Sequence, residues 1–234
     1  MQVEIWSDIL CPWCYIGKRE FENTLAEFKH KDKIEVTWKS FELDPSAQKD
    51  YPGDLYDLLS SKYNISIDKA KQMTGSLVER AKSIGLNYNM EIAKATNSFD
   101  AHRLIHLAME FNVQEKVIER LSSAYLIEGL HIGNRETLTQ IGIDAGLKAA
   151  DILAMFDSDR FTEDVRKDEY EARNIGVRGV PFFLIDKKYS LSGAQPKEVF
   201  EEALEKIYDE LYPEVAAITN TGPACDAGGV CETN

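Results

Sequence analysis

Ile9-Leu10-Cys11-Pro12-Trp13-Cys14-Tyr15 places two cysteines two residues apart, directly after a short β-like run (Val3, Ile5) and directly before a helix-like run. A helix N-terminus presents unpaired N–H groups and a partial positive charge, and both stabilise a thiolate at the first cysteine. Cys11 is therefore read as the nucleophile. Cys14, one helical turn along, is close enough to attack a mixed disulfide on Cys11 and release the product. Strand, two spaced thiols and helix together make a complete exchange device.

Two other uses of the pair fit less well. Structural zinc needs four ligands, and the remaining cysteines, Cys225 and Cys231, stand far off at a spacing too wide for a zinc ribbon. A structural disulfide across so short a loop removes little chain entropy. It would also have to persist in the reducing compartment expected for a chain without an export signal. Exchange chemistry is the reading retained.

With 234 residues, 44% of them hydrophobic, the chain can bury a large core without disulfide staples. Met1 runs straight into the first strand pattern with neither a basic nor an apolar leader, and no window approaches a membrane span; a cytoplasmic chain is expected. A formal net charge of −13 argues against a nucleic-acid or anionic-membrane surface, because phosphate binding needs concentrated Lys and Arg.

Periodicity reads the chain as α/β at both ends and helical between. A strand over 3–6, a helix over 15–30 and a strand over 34–41 form β-α-β. Asp44-Pro45 and Tyr51-Pro52-Gly53-Asp54 then break the pattern. About a hundred residues follow with helical spacing only: a helix bearing Leu55, Leu58 and Leu59, others over 67–84 and from about 97, and further ones over 114–127, 135–145 and 149–156. The end returns as a helix over 161–174, a strand over 181–185, its hairpin partner over 188–192 and a helix over 197–211. Because the halves must pair to complete one sheet, 1–52 plus 158–212 form one discontinuous domain, 53–157 a helical insertion packed as a cap beside Cys11, and 213–234 a tail.

In Gly176-Val177-Arg178-Gly179-Val180-Pro181-Phe182-Phe183-Leu184-Ile185, a proline opens an apolar strand, where it cannot donate to the ladder. Two readings stand. Pro181 is ordinary strand-edge punctuation, or it follows a cis bond that exposes the N–H and C=O of Val180 beside Cys11 for pairing with an extended peptide. The upstream cysteine pair and the following hairpin favour the second.

CPWC at 11–14, GVRGVPFFLI at 176–185 and Asn97-Ser98-Phe99-Asp100-Ala101-His102-Arg103 together resemble the DsbA-like thioredoxin superfamily, specifically its cytoplasmic FrnE branch. The resemblance spans essentially the whole chain. It implies a thioredoxin-like fold with a large all-helical insertion. It also implies a thiol-disulfide oxidoreductase or isomerase acting on protein or peptide thiols, with Cys11 attacking, Cys14 resolving, and Pro12, Trp13, Val180 and Pro181 facing the substrate. No bound cofactor or metal is implied; the redox-active disulfide itself serves, with glutathione or thioredoxin as electron partner. The glutathione-dependent relatives, hydroxychromene-carboxylate isomerases and kappa-class transferases, supply the alternative function but typically carry Ser where Cys11 stands. A peptide-binding chaperone using the same groove is a third.

Trp13 offers no cation to a thiolate, so Cys11 depends on backbone N–H groups, and a less oxidising protein than the periplasmic DsbA type is expected. Trp13 serves either as a substrate contact or as packing against the cap. By the resemblance, Asn97 and His102 approach the cysteines; the bland role for Asn97 is to start a helix. His102 and His106 share an i, i+4 spacing but lack a third ligand. In the tail, Gly228-Gly229 permits a turn that joins Cys225 to Cys231, and FrnE relatives carry such a second pair; it is either a second dithiol exchanging with the first or an exposed pair without a role.

Overall fold

The computed structural model describes residues 1–213. Among them, four strands form one mixed sheet in the order β2-β1-β3-β4. The strands are β1 (Gln2–Ser7), β2 (Glu35–Ser40), β3 (Phe182–Ile185) and β4 (Tyr189–Ser192). β1 runs parallel to β2 and antiparallel to β3, and β3 pairs antiparallel with β4. Helix α1 (Pro12–Glu27) supplies the crossover from β1 to β2 that a parallel pair requires. Asp186 and Lys187 both take positive φ (45° and 57°), the backbone that a tight hairpin between β3 and β4 demands.

Both faces of the sheet are covered. Val3 and Ile5 point toward α1 and α9 (Lys197–Leu211), where Phe21, Phe183 and Phe200 meet with ring centroids 4.8–5.6 Å apart. Trp6 points the other way, buried with Ala172, Val177 and Phe182 under α8 (Thr162–Ile175), and its indole N–H donates to the Asp168 carbonyl at 3.0 Å. Lys39 holds the same face by pairing with Glu171 at 2.9 Å and Asp168 at 3.4 Å. The outer edge of β2 is closed by a side chain rather than a strand. Gln114 accepts from the Trp38 N–H at 3.4 Å and donates to its carbonyl at 3.2 Å, a local block against edge pairing.

Between β2 and α8 lie α2 (Leu55–Tyr63), α3 (Ile67–Ser83), α4 (Phe99–Glu110), α5 (Gln114–Leu126), α6 (Arg135–Asp144) and α7 (Ala149–Phe156). α4 is nearly all buried, with Leu104, Leu107 and Ala108 without solvent contact, and packs against α5, α6, α7 and α8. Side-chain caps set several starts: Asp54 and Asp57 bond each other's backbone N–H at 2.9 Å, and Ser66 and Asn134 cap α3 and α6. The boundaries differ from the periodicity reading where caps intervene. α1 begins at Pro12 rather than Tyr15 because proline suits the first helical position, and it ends at Glu27 because Phe28 turns extended. α8 starts one residue late because Phe161 sits at φ 65°.

α1 and α5 are joined by a charged seam. Lys18, 2% exposed, lies 2.6 Å from both Glu22 and Glu119, and Glu119 also accepts from Arg19 at 2.6 Å and from the Tyr15 hydroxyl at 2.7 Å. Burial, opposed by Lys18 and reinforced by Glu115, pushes the Glu22 carboxyl from an ordinary 4.5 up to about 7. The folded chain therefore holds a proton that the unfolded chain has already released, so Glu22's contribution is full below pH 4.5 and is lost as pH rises through 7. We expect Glu22→Gln, which keeps the neutral form, to lose less stability than wild type between pH 5 and pH 8 in urea unfolding. An equal or larger loss would refute this account.

Candidate active site

The site forms where β1 hands over to α1. Cys11 is the N-cap of α1 in extended conformation, Pro12 fills the first helical position, and the Cys11 side chain makes no capping bond to the helix. The sulfur thus stands at the positive end of the helix. Both cysteines are free thiols, Cys11 6% and Cys14 3% exposed. Cys14, in the first turn of α1, is buried. Burial first, then the interaction with neighbouring Cys11, which favours the protonated Cys14 as donor, push the Cys14 thiol well above its ordinary range.

On one side of Cys11 stands the segment entering β3. The Val180–Pro181 bond is cis, and the Cys11 thiol donates to the Val180 carbonyl at 3.6 Å. The Pro181 carbonyl is held by the Gly193 N–H at 2.8 Å. On the other side, Cys11 opens on a cavity of about 390 Å³ whose walls come from the 10–13 turn, Leu43, α2 and α3. Leu58, Leu59 and Met73 face it, Trp13 edges it at 44% exposure, and Lys62 is its one charged wall residue among the described residues.

Three residues not singled out by the sequence hold this geometry. Asp8 is 1% exposed: its backbone carbonyl accepts the Cys11 N–H at 3.1 Å, and its carboxylate accepts the Leu10 N–H at 3.1 Å and the Leu43 N–H at 2.8 Å. Tyr88 donates its hydroxyl to the Pro12 carbonyl at 2.7 Å and stacks on Tyr15 with centroids 6.0 Å apart. Gly17 lies in α1 beside Pro181. Only Asp8 carried a sequence signal, a carboxylate three residues ahead of Cys11; Tyr88 sits in a loop without periodicity.

Asn97 and His102 make their polar contacts with Phe99, Glu42 and Asp8. Asn97 accepts the Phe99 N–H at 2.8 Å, starting α4, and donates to Glu42 at 3.4 Å. His102, 1% exposed, sets Nε2 3.5 Å from the Asp8 carboxylate and makes no hydrogen bond through it among the described residues. It adjoins the residue that places Cys11, not Cys11 itself. His106 is engaged with Ser40 and Asp168, both at 3.1 Å, and no metal-ligand cluster occurs among the described residues. Cys225 and Cys231 lie outside the described residues. No helix among the described residues is long and apolar enough to cross a membrane.

A family model described as a DSBA-like thioredoxin domain matches residues 2–205. The uncharacterized protein YwbO of Bacillus subtilis is 29% identical over 209 residues, which are 87% of this chain and 96% of that protein. The crystal structure of a probable DsbA oxidoreductase, SCO1869 of Streptomyces coelicolor, is 40% identical, with 90% of this chain and 91% of that one covered at a TM-score of 0.85. The cytosolic disulfide reductase DsbM of Pseudomonas aeruginosa shares the fold at 16% identity and a TM-score of 0.61, over 90% of this chain and 100% of its own.

Burial of Cys14 has a measurable consequence. In Cys11→Ser, where burial alone remains to hold the thiol up, Cys14 should alkylate slowly with iodoacetamide at neutral pH and speed up only in alkali. Rapid modification at pH 7 would show the thiol to be neither buried nor raised.

Proposed function

The chain belongs to the DsbA-like thioredoxin family and has its oxidoreductase fold, and we propose that it exchanges disulfides on protein or peptide thiols, acting as oxidoreductase and isomerase in a cytoplasmic setting. One observation carries the reading: Cys11 is the outer thiol, seated between the Val180 carbonyl and an apolar groove, with Cys14 buried directly behind it.

In the proposed cycle, the Cys11 thiolate attacks a substrate disulfide. A Cys11–substrate S–S bond forms, the substrate S–S bond breaks, and one substrate thiolate leaves and takes a proton. Cys14 then gives up its proton and attacks the Cys11 sulfur, closing a Cys11–Cys14 disulfide and releasing the second substrate thiolate. A reducing thiol, either glutathione or a thioredoxin-type dithiol, restores both cysteines. When the first released thiolate instead attacks another substrate disulfide, and the substrate thiolate so freed attacks the Cys11–substrate bond, a new substrate disulfide forms, Cys11 leaves as the thiolate, and the result is isomerisation without net redox change.

The Val180 carbonyl offers an extended peptide an acceptor for strand-like pairing, and no acceptor for the Val180 N–H lies among the described residues. Across Cys11, the groove takes the neighbouring side chain of that peptide. Its apolar wall rewards a bulky hydrophobic flank and gives a small polar thiol such as glutathione little to bind, which favours protein substrates over the glutathione-dependent isomerase or transferase alternative.

Cys14→Ser should accumulate mixed disulfides through Cys11, whereas Cys11→Ser should trap few; peptide mapping after non-reducing separation reads the outcome. Equal trapping by both variants would overturn the assignment of roles. For the groove, Met73 is 54% exposed on its wall, so Met73→Glu should leave the fold intact. It should lower kcat/KM roughly tenfold for a peptide disulfide flanked by Phe while leaving a Ser-flanked one unchanged. Equal effects on both peptides would remove the groove from substrate selection.

A further inference from the structure

Gly17 stands in the buried middle of α1, three residues after Cys14 and on the same face. Glycine is among the poorest residues for a helix interior, and here its backbone is ordinarily helical, so no turn requires it. The requirement comes from across the interface. A Cβ built at Gly17 would lie 2.8 Å from Pro181 Cγ, 3.5 Å from Pro181 Cβ and 3.4 Å from the Ala194 backbone. The first of these is closer than packed carbon atoms approach.

Pro181 is held at its carbonyl and through the residue that follows it, on the side facing the sheet. Its carbonyl is tied to the Gly193 N–H at 2.8 Å, Ala194 closes the same side, and Phe182 after it is locked in the β3 ladder opposite Trp6. Any group added at position 17 therefore pushes the segment 180–181 away from α1. That segment carries the Val180 carbonyl, which sits 3.6 Å from Cys11 Sγ.

We propose that Gly17 is a positioning residue for the exchange reaction: the space left by its missing side chain seats Pro181 against α1 and so sets Val180 at bonding distance from Cys11. The inference rests on the reading of Val180 as the pairing site for substrate peptide. It assigns Gly17 no contact with substrate and no part in activating the thiol.

The test is Gly17→Ala assayed on two substrates. A peptide disulfide pairs with Val180, whereas hydroxyethyl disulfide has no backbone with which to pair. The peptide should lose roughly tenfold or more in kcat/KM, as reacting groups displaced by a fraction of an ångström do. Hydroxyethyl disulfide should react at the wild-type rate, and circular dichroism should report an unchanged helix content. Unchanged peptide exchange overturns the proposal, and so does equal slowing of both substrates, which would mean a damaged thiol or a loosened fold. If wild type itself fails to exchange peptide disulfides, the functional reading falls instead, a distinguishable result. Should Gly17→Ala not fold, nuclear Overhauser contacts in the wild-type chain decide. Cross-peaks between the Gly17 α-protons and the Pro181 ring that persist in a peptide complex trapped on Cys14→Ser support the seat, and their absence overturns it.

Discussion

The antiparallel register between β1 and β3 is the constraint on which the rest of the molecule depends. Trp6 lies opposite Phe182 and Ile5 opposite Phe183, so the residues leaving β1 and those entering β3 emerge at the same end of the sheet. Continued by two positions, that register brings the chain at 180–181 alongside the turn 7–8, which delivers Cys11. A slip of one residue would turn Val3 and Ile5 out of the core and Trp6 away from α8, so burial on both faces enforces the register. Hydrophobic burial more than 170 residues apart in sequence thus places a carbonyl within reach of a thiol.

Much of this was legible in the sequence because it is local. The alternation of Val3 and Ile5, the two-residue spacing of the cysteines and the apolar run after Pro181 each follow from short-range periodicity, and so do the β-α-β and α-β-β-α halves. What stayed hidden is what only tertiary approach creates. Tyr88 has no local pattern, yet it reaches the Pro12 carbonyl 76 residues away, and Gly17 reads as a weak point in a helix until Pro181 is set against it. Asn97 and His102 show the converse. The resemblance brought them near the site, and the structure gives Asn97 to a helix start and a Glu42 contact, and His102 to the flank of Asp8.

Asp8 joins the two parts of the chain that the site needs at once. One carboxylate oxygen accepts from Leu10 in the turn before Cys11, and the other accepts from Leu43 at the groove wall, while His102 approaches from α4. A buried carboxylate without donors would be costly, so these N–H groups and the loop conformations that present them are mutually selected. Behind them Glu42, pushed upward by burial and drawn downward by Arg166, extends the polar layer to α8. The loop after β2 is thereby tied to the cysteine turn, and α8 to that loop, by directional bonds, which hold the turn's position more narrowly than apolar packing alone.

The different placement of the two thiols, Cys11 on the groove and Cys14 off it, sets the order of events in the proposed cycle. An incoming disulfide meets Cys11 at the groove mouth and cannot reach Cys14, so attack begins at one sulfur. Resolution then requires Cys14 to lose its proton in a site that disfavours the thiolate through burial. In that proposal a mixed disulfide on Cys11 would outlast one resolved by an exposed thiol, and a tethered substrate would have time to present its other cysteines to the bond. In the proposed cycle, a slow resolving step at the buried Cys14 is what would favour the isomerase part of that proposal over simple reduction.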